Sequence, residues 1–164
     1  MLKKILQPES CAKCRVCCGF DDGDKWEIPL IFGEFHKSVE EKLGVKLTPR
    51  GSEYVFDMEF DGDKLVYCPA AGEHGCTLGE LKPFDCLIWP FRVNSLGDLR
   101  VITVSPVCGT VSELPLKTLS DFVNGGFAEK LFKTAREHPD TVKPYIDGYP
   151  IIAVEKRKKS ENVN

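Results

Sequence analysis

Cysteine is the residue type with the most chemistry to offer, because this chain of 164 residues contains eight of them. Four form the N-terminal cysteine cluster, Cys11-x-x-Cys14-x-x-Cys17-Cys18. The other four, the downstream cysteines, are Cys68, Cys76, Cys86 and Cys108. Thiolates are soft anionic ligands, and two intervening residues let a chain turn back so that both sulfurs face one centre, as in zinc and iron–sulfur sites. The spacing therefore predicts a metal centre.

The adjacent pair Cys17 and Cys18 constrains that centre. Neighbouring side chains of an extended chain point to opposite sides, so both thiols can reach one centre only through a tight turn. Otherwise one of them serves a second centre or remains an outer thiol. Gly19, which follows the pair, gives the backbone the freedom that a close approach to a cofactor requires.

Each downstream cysteine stands beside a proline- or glycine-containing turn, as a ligand on a stiff loop would. The relevant pairs and segments are Cys68-Pro69, Gly75-Cys76, Lys82 to Pro90 around Cys86, and Cys108-Gly109. One such cysteine alone would more often be a core residue. Together with the N-terminal cysteine cluster, at least two of the four are expected to be ligands.

Readings of the N-terminal cysteine cluster other than metal ligation fit the sequence less well. Inert buried thiols do not require such spacing. A disulfide framework belongs to exported proteins, and no secretory signal is recognisable. A thioredoxin-like pair needs a preceding strand, which the residues before Cys11 do not suggest. His74 is a further candidate ligand, whereas His36 and His138 are expected on the surface.

Composition predicts an ordinary globular protein of one domain, with 42% apolar residues and a net charge of -3. That charge provides no basic field for nucleic acid or an anionic membrane. No apolar run approaches the roughly 18 residues that a membrane span needs. We therefore expect a cytoplasmic protein that binds neither nucleic acid nor membrane, in a reducing compartment where cysteine clusters more often bind metals.

The elements expected to position the cysteines alternate between helices and hairpins. Apolar periodicity predicts helices over 29–43, 116–123 and 127–135, with a break at Asn124-Gly125-Gly126. Alternation predicts strands over 53–60 and 64–67 around Asp61-Gly62, a hairpin over 91–104 and a last strand over 149–154. The cluster itself lies in a polar, irregular segment, 8–27.

These elements predict the α+β class. We expect a small single domain, residues 1–154, of short β-hairpins and about three helices around a loop-borne cysteine metal centre. Residues 155–164, with the basic run Lys156-Arg157-Lys158-Lys159, are expected to be a charged, disordered tail.

At this point the chain resembles the YkgJ-type cysteine-cluster proteins, described as zinc- or iron-chelating. The resemblance runs from Cys11 to Cys108, takes in all eight cysteines, and is most specific over residues 11–18 and 75–90. Lys82 stands where the family usually has an arginine before Pro83, and Leu87 replaces a frequent arginine after Cys86, so a rigid guanidinium is lost at both positions. The resemblance implies metal binding.

The number and spacing of the cysteine ligands indicate which metal they bind. Four thiolates saturate one zinc ion or one [4Fe–4S] cluster, so eight suffice for two centres or for one centre with spare thiols. Zinc modules usually bring two separated pairs, whereas the Cys11, Cys14, Cys17 triplet is similar to the first three ligands of a ferredoxin-type run. The sequence thus favours an iron–sulfur centre, with zinc as the alternative.

Three functions are consistent with such a centre. The first is a redox or cluster-carrying role, with a protein redox or enzyme partner. The second is a zinc-stabilised binding module without redox function. The third is a metalloenzyme of unknown reaction, for which the sequence offers no convincing acid–base pair.

Overall fold

The computed structural model describes residues 2, 4–62 and 64–156. The helices in this part of the chain are α1 (Pro8–Cys14), α2 (His36–Leu43), α3 (Phe84–Ile88), α4 (Gly109–Ser112), α5 (Leu116–Phe122) and α6 (Ala128–Glu137). The strands are β1 (Gly19–Phe20), β2 (Leu47–Arg50), β3 (Glu53–Phe56), β4 (Val66–Tyr67), β5 (Ala71–Gly72), β6 (Gly75–Cys76), β7 (Phe91–Leu96), β8 (Leu99–Val104), β9 (Lys143–Pro144) and β10 (Ile151–Val154). The mixture of short helices and small sheets confirms the predicted α+β single domain.

A four-stranded sheet in the order β10-β8-β7-β9 forms one half of the molecule. Strands β7 and β8 make an antiparallel hairpin from the Phe91–Val104 pair to the Leu96–Leu99 pair. Helices α5 and α6 cover this sheet with apolar side chains. The resulting cluster, here the sheet core, includes Leu6, Phe91, Val93, Ile102, Val111, Leu119, Leu131, Phe132 and Ala135.

A second cluster, here the hairpin core, forms the other half. It contains Phe20, Ile28, Leu30, Ile31, Val39, Leu47, Val55, Phe56, Ala70 and Leu78. Helix α2 contributes Val39, which is fully buried, and the β2–β3 hairpin contributes both of its strands. The chain therefore has two apolar clusters that must be held together.

Several predicted elements are confirmed. The hairpin over 91–104 and the last strand are present, and β10 pairs with β8. The helical break also lies where expected, since α5 and α6 are joined through Val123–Phe127 with Gly126 at φ +102°. A side chain at that φ would be strained, so glycine is suited to this kink.

Other boundaries were predicted wrongly. The helix expected from residue 29 begins at His36, because the Ile31 backbone pairs instead with Tyr54 at 2.7 and 3.0 Å. Strand β3 pairs with β2 across Gly51-Ser52, not with residues 64–67 across Asp61-Gly62. The returning strand, shortened to β4, pairs with β1 in the N-terminal segment.

The N-terminal segment was wrongly expected to be irregular. It contains α1, a 3-10 turn at Val16–Cys18, β1 and a second 3-10 turn at Asp22–Glu27. Phe20 and Ile28 are 5% and 3% exposed, so the second half of the segment is anchored in the hairpin core.

Polar contacts join the two halves as well. Glu53 of β3 is buried and accepts hydrogen bonds from the Gly33 amide and from Nδ1 of His138. The His138 ring stacks on Phe32 with ring centroids 3.6 Å apart. His138 is therefore a structural link between α6 and β3 and not the surface residue that we expected.

The chain's end is described up to residue 156. Glu155, the first residue of the predicted tail, donates its backbone N–H to the Arg100 carbonyl at 2.8 Å and pairs with Arg100 and Arg136. The prediction of a disordered tail otherwise falls on residues 157–164, which lie outside the described residues. None of the described helices has the length and apolar character needed to cross a membrane.

Candidate metal centre

The N-terminal cysteine cluster is built on α1 and the turn that follows it. Cys11 and Cys14 are three positions apart in α1 and so share a helix face. The helix ends at Arg15 in the left-handed conformation, at φ 55°. That position usually takes glycine, but here the Arg15 guanidinium donates to the Ala71 carbonyl at 3.2 Å and lies 5.1 Å from the centre of the Tyr67 ring. These contacts fix the direction in which the chain leaves α1.

The following 3-10 turn separates Cys17 from Cys18. Successive positions of a 3-10 helix differ by roughly 120° about its axis, so the two side chains leave in different directions. The two thiols remain neighbours, and the proton held by Cys17, together with the Lys82 and Arg15 charges, lowers the pKa of Cys18.

The downstream cysteines are carried by short, backbone-bonded elements. The Cys68 N–H donates to the Cys18 carbonyl at 2.8 Å, and the Cys68 carbonyl accepts from Ala71 N–H at 2.8 Å. Cys76 lies in β6, paired with Ala71 of β5. Cys86 lies in α3. Cys108 precedes α4 and accepts, through its carbonyl, the N–H groups of Val111 and Ser112.

All eight predicted site residues come into one neighbourhood, and all eight are free thiols. Each contact named here is close enough for one thiolate charge to disfavour ionisation of the other. Cys11 has Cys14, Cys17, Cys18 and Cys108 as such neighbours, Cys17 also has Cys86, and Cys68 has Cys18, Cys76 and Cys86. Chain segments up to about 90 residues apart thus meet through their cysteines.

The eight cysteines are not arranged as a binding site for a single metal ion. Within the described part of the chain, no three His, Cys, Asp or Glu side chains are placed so that they could hold one metal ion. Four of the thiols instead border one region, between α1 with its following turn and the start of α4. His74, the additional candidate from the sequence, has an exposed side chain.

One part of that region is a cavity of about 150 Å³. Its lining consists of Cys11, Cys14, Cys17 and Cys108 together with Leu6, Ser10, Arg15, Val16, Trp89, Val107, Gly109 and Thr110. Among these lining residues there is no His, Asp or Glu. Apart from two hydroxyl groups, the side-chain donors are therefore sulfurs, which suit zinc or iron–sulfur chemistry and not calcium or magnesium.

Burial keeps several of these thiols protonated. Burial raises the pKa of Cys11 and Cys86, and it raises the pKa of Cys68 to about 11. The Lys82 charge opposes this effect at Cys11 and Cys86. A centre that binds here must displace thiol protons, so its assembly should release protons to solvent.

The residues present fit a sulfur-ligated group. Arg15, which lines the cavity, has a buried Nε atom without a hydrogen-bond partner among the described residues. Such an N–H beside the cavity suits a centre rich in sulfur acceptors, because N–H donors to sulfur are one means by which proteins tune iron–sulfur clusters. Positive charge is also present, since Lys82 acts on Cys11, Cys18 and Cys86 and Arg15 acts on Cys18.

Sequence reasoning found all eight cysteines but missed Arg15 and the role of Lys82. Lys82 attracted attention only as a departure from the family pattern. Arg15 lies between two cysteines in an ordinary polar stretch, and only the left-handed backbone and the distant Ala71 carbonyl reveal its function. Trp89 also lines the cavity.

The β5–β6 hairpin offers a test that leaves every cysteine in place. A Cβ atom on Gly72 would lie 2.7 Å from Cγ2 of Thr77 and 3.1 Å from the Gly75 carbonyl oxygen. Gly72→Ala should therefore displace the strand that carries Cys76, lower the metal content and destabilise the fold by about 1–3 kcal/mol.

Gly125→Ala is the matched control, since Gly125 has φ -73°, does not line the cavity, and an added Cβ meets nothing within 4 Å. Metal content and thermal midpoint should stay at wild-type values in this variant. Equal metal content in the Gly72 and Gly125 variants would show that the hairpin does not position a ligand.

Comparisons of the chain with protein-family models, with curated proteins and with solved structures found no match of any of the three kinds.

Proposed function

We propose that this protein carries an iron–sulfur centre on its cysteines and serves in electron transfer or as an accessory to a larger enzyme. One observation supports this most: four cysteines from two distant chain segments line one cavity that has no His, Asp or Glu, and each of the other four has another cysteine as a thiol neighbour. When bound, such a cluster supplies a reversible one-electron couple. The resemblance to YkgJ-type proteins implies metal binding and agrees with this proposal.

The size of the cavity favours a cluster over a single ion. A zinc ion sits about 2.3 Å from each of four sulfurs, which then leave little space between them. A cavity of about 150 Å³ matches, in volume, one that accommodates a molecule as large as benzene. A multi-atom inorganic core needs such space, whereas a lone ion does not.

A zinc-stabilised module is the second candidate, and a specific feature supports it. Cys11 and Cys108 pack against the sheet core, while Cys68 and Cys76 pack against the hairpin core. A centre on these thiols would tie the two halves of the fold together, as structural zinc sites do.

The surroundings of the cavity favour a protein partner. Cys14 is exposed at its edge, and the lining residues Val16 and Val107 are 51% and 52% exposed. Apolar side chains around an exposed ligand would allow a redox partner to approach closely. Thiols that bind a metal must stay reduced, so we propose that the protein works in the reducing cytoplasm.

The redox role is tested on anaerobically purified protein. We expect a brown protein whose visible absorption bleaches on reduction with dithionite and returns on mild reoxidation. Zinc is d¹⁰ and without redox chemistry, so a colourless protein that does not respond to reductant would favour the zinc module instead.

A further inference from the structure

We propose that the eight cysteines form two centres of four thiols each, an inference that rests on the proposed metal-binding function. The outer centre comprises Cys11, Cys14, Cys17 and Cys108. The inner centre comprises Cys18, Cys68, Cys76 and Cys86. The boundary between the centres runs through the Cys17–Cys18 peptide bond.

The outer centre is defined by the cavity. Its four cysteines all line the same space of about 150 Å³, and the remaining four cysteines do not line it. Cys11 and Cys108 also pack against the sheet core. Two elements therefore face each other across the cavity, α1 with its following turn on one side and the start of α4 on the other.

The inner centre is defined by backbone pairing around Cys68. The Cys18 carbonyl accepts the Cys68 N–H at 2.8 Å, and β1 continues this pairing with β4. Cys68 and Cys76 are joined through the β5–β6 hairpin and pack against the hairpin core. Cys86, on α3, has Cys68 and Cys76 as thiol neighbours. These pairings link the four cysteines of the inner centre to one another.

The turn itself explains how adjacent residues serve different centres. Cys17 and Cys18 leave the 3-10 helix in directions roughly 120° apart, and Cys17 lines the cavity whereas Cys18 does not. The boundary is not a wide separation, because Cys17 has both Cys18 and Cys86 as thiol neighbours. The two centres are therefore in direct proximity, with the outer one nearer to solvent through Cys14.

Two serine variants separate the centres. Cys108→Ser removes an outer ligand and Cys68→Ser an inner one. After anaerobic purification, and again after reconstitution with ferrous iron and sulfide, each variant should keep about half of the wild-type metal per chain. The double variant should keep almost none. Ser112→Ala, which changes an exposed residue of α4 outside the cavity lining, should keep the full amount.

The outcomes distinguish this inference from the proposed function. Complete loss of metal in both folded single variants would indicate one shared centre and overturn the partition. Loss of metal in only one of the two single variants would indicate one centre with spare thiols and would also overturn the partition. Two zinc ions per chain falling to one in each variant would uphold the partition while refuting the iron–sulfur proposal.

Circular dichroism establishes that each variant is folded. If Cys108→Ser or Cys68→Ser does not fold, Cys14→Ser and Cys76→Ser replace them as the outer and inner variants. Cys14 is exposed, so its replacement disturbs packing least. The half-loss of metal is expected of these variants too, and full retention by either would contradict the assignment.

Discussion

Replacing Arg92 by methionine is expected to destabilise the protein by about 2–4 kcal/mol at neutral pH, because the half-buried Glu27 loses its cation. Arg92 is 8% exposed and forms an ion pair with Glu27. Its guanidinium also lies 4.8 Å from the centre of the Trp89 ring and 5.6 Å from that of Trp26. Because Trp89 lines the cavity, the variant should also reduce metal content. Chemical denaturation measures the stability change.

The stability lost in Arg92→Met should depend on pH in a definite direction. Burial raises the pKa of Glu27, against the opposing effect of Arg92. A carboxyl with a raised folded-state pKa contributes stability that is present below its unfolded pKa and is lost as pH rises through the folded pKa. Without Arg92 the folded pKa rises further, so the cost of Arg92→Met should grow with increasing pH and shrink in acid.

The matched control is the double variant Glu27→Gln with Arg92→Met. Removing the buried charge should recover part of the stability lost in Arg92→Met alone, so the two changes should not be additive. A pH-independent loss, together with additive effects in the double variant, would mean that Arg92 acts through packing on the two tryptophans and not through Glu27.

Replacing Cys14 or Cys76 by serine is expected to lower metal content and to expose the first half of the 8–27 segment to protease. Ordering each residue costs roughly 1–2 kcal/mol of backbone entropy. Phe20 and Ile28 are buried and anchor the second half, whereas α1 depends on its cysteines and on contacts with β6. Limited trypsinolysis should therefore cleave several-fold faster after Lys13 and Arg15 in these variants.

Ser10→Ala is the control, because Ser10 lies on the same helix and lines the same cavity. Its cleavage rate should match the wild type. Full metal content in Cys76→Ser combined with loss in Cys14→Ser would show that the N-terminal cysteine cluster is self-contained. The downstream cysteines would then be core residues.

Local sequence patterns predicted the parts of the fold that local forces decide. The 91–104 hairpin follows from alternating apolar residues, and the α5–α6 kink follows from Gly125-Gly126. The partner of β3 was missed because two turn signals compete. Gly51 has φ +61° and closes the β2–β3 hairpin, while the stronger motif Asp61-Gly62 does not pair its flanking residues. Long-range pairing of β4 with β1 decides that competition, and no local pattern reveals it.

The candidate site was predictable in its composition but not in its arrangement. Ligand type and spacing identified the cysteines. The proposed assignment of the cysteines to two centres rests on the Cys18–Cys68 backbone hydrogen bond and on which thiols line the cavity. Both features arise from contacts between segments about 50 to 90 residues apart, which spacing along the chain does not encode. The positions of Arg15 and Lys82 beside the thiols also arise from contacts between distant chain segments.

Acid-labile sulfide, measured with iron and zinc on wild-type protein purified without exposure to air, tests the central claim most directly. Inorganic sulfide is a component of iron–sulfur clusters and not of zinc–thiolate sites. The account predicts iron and sulfide in comparable amounts and little zinc. Stoichiometric zinc without sulfide would contradict it.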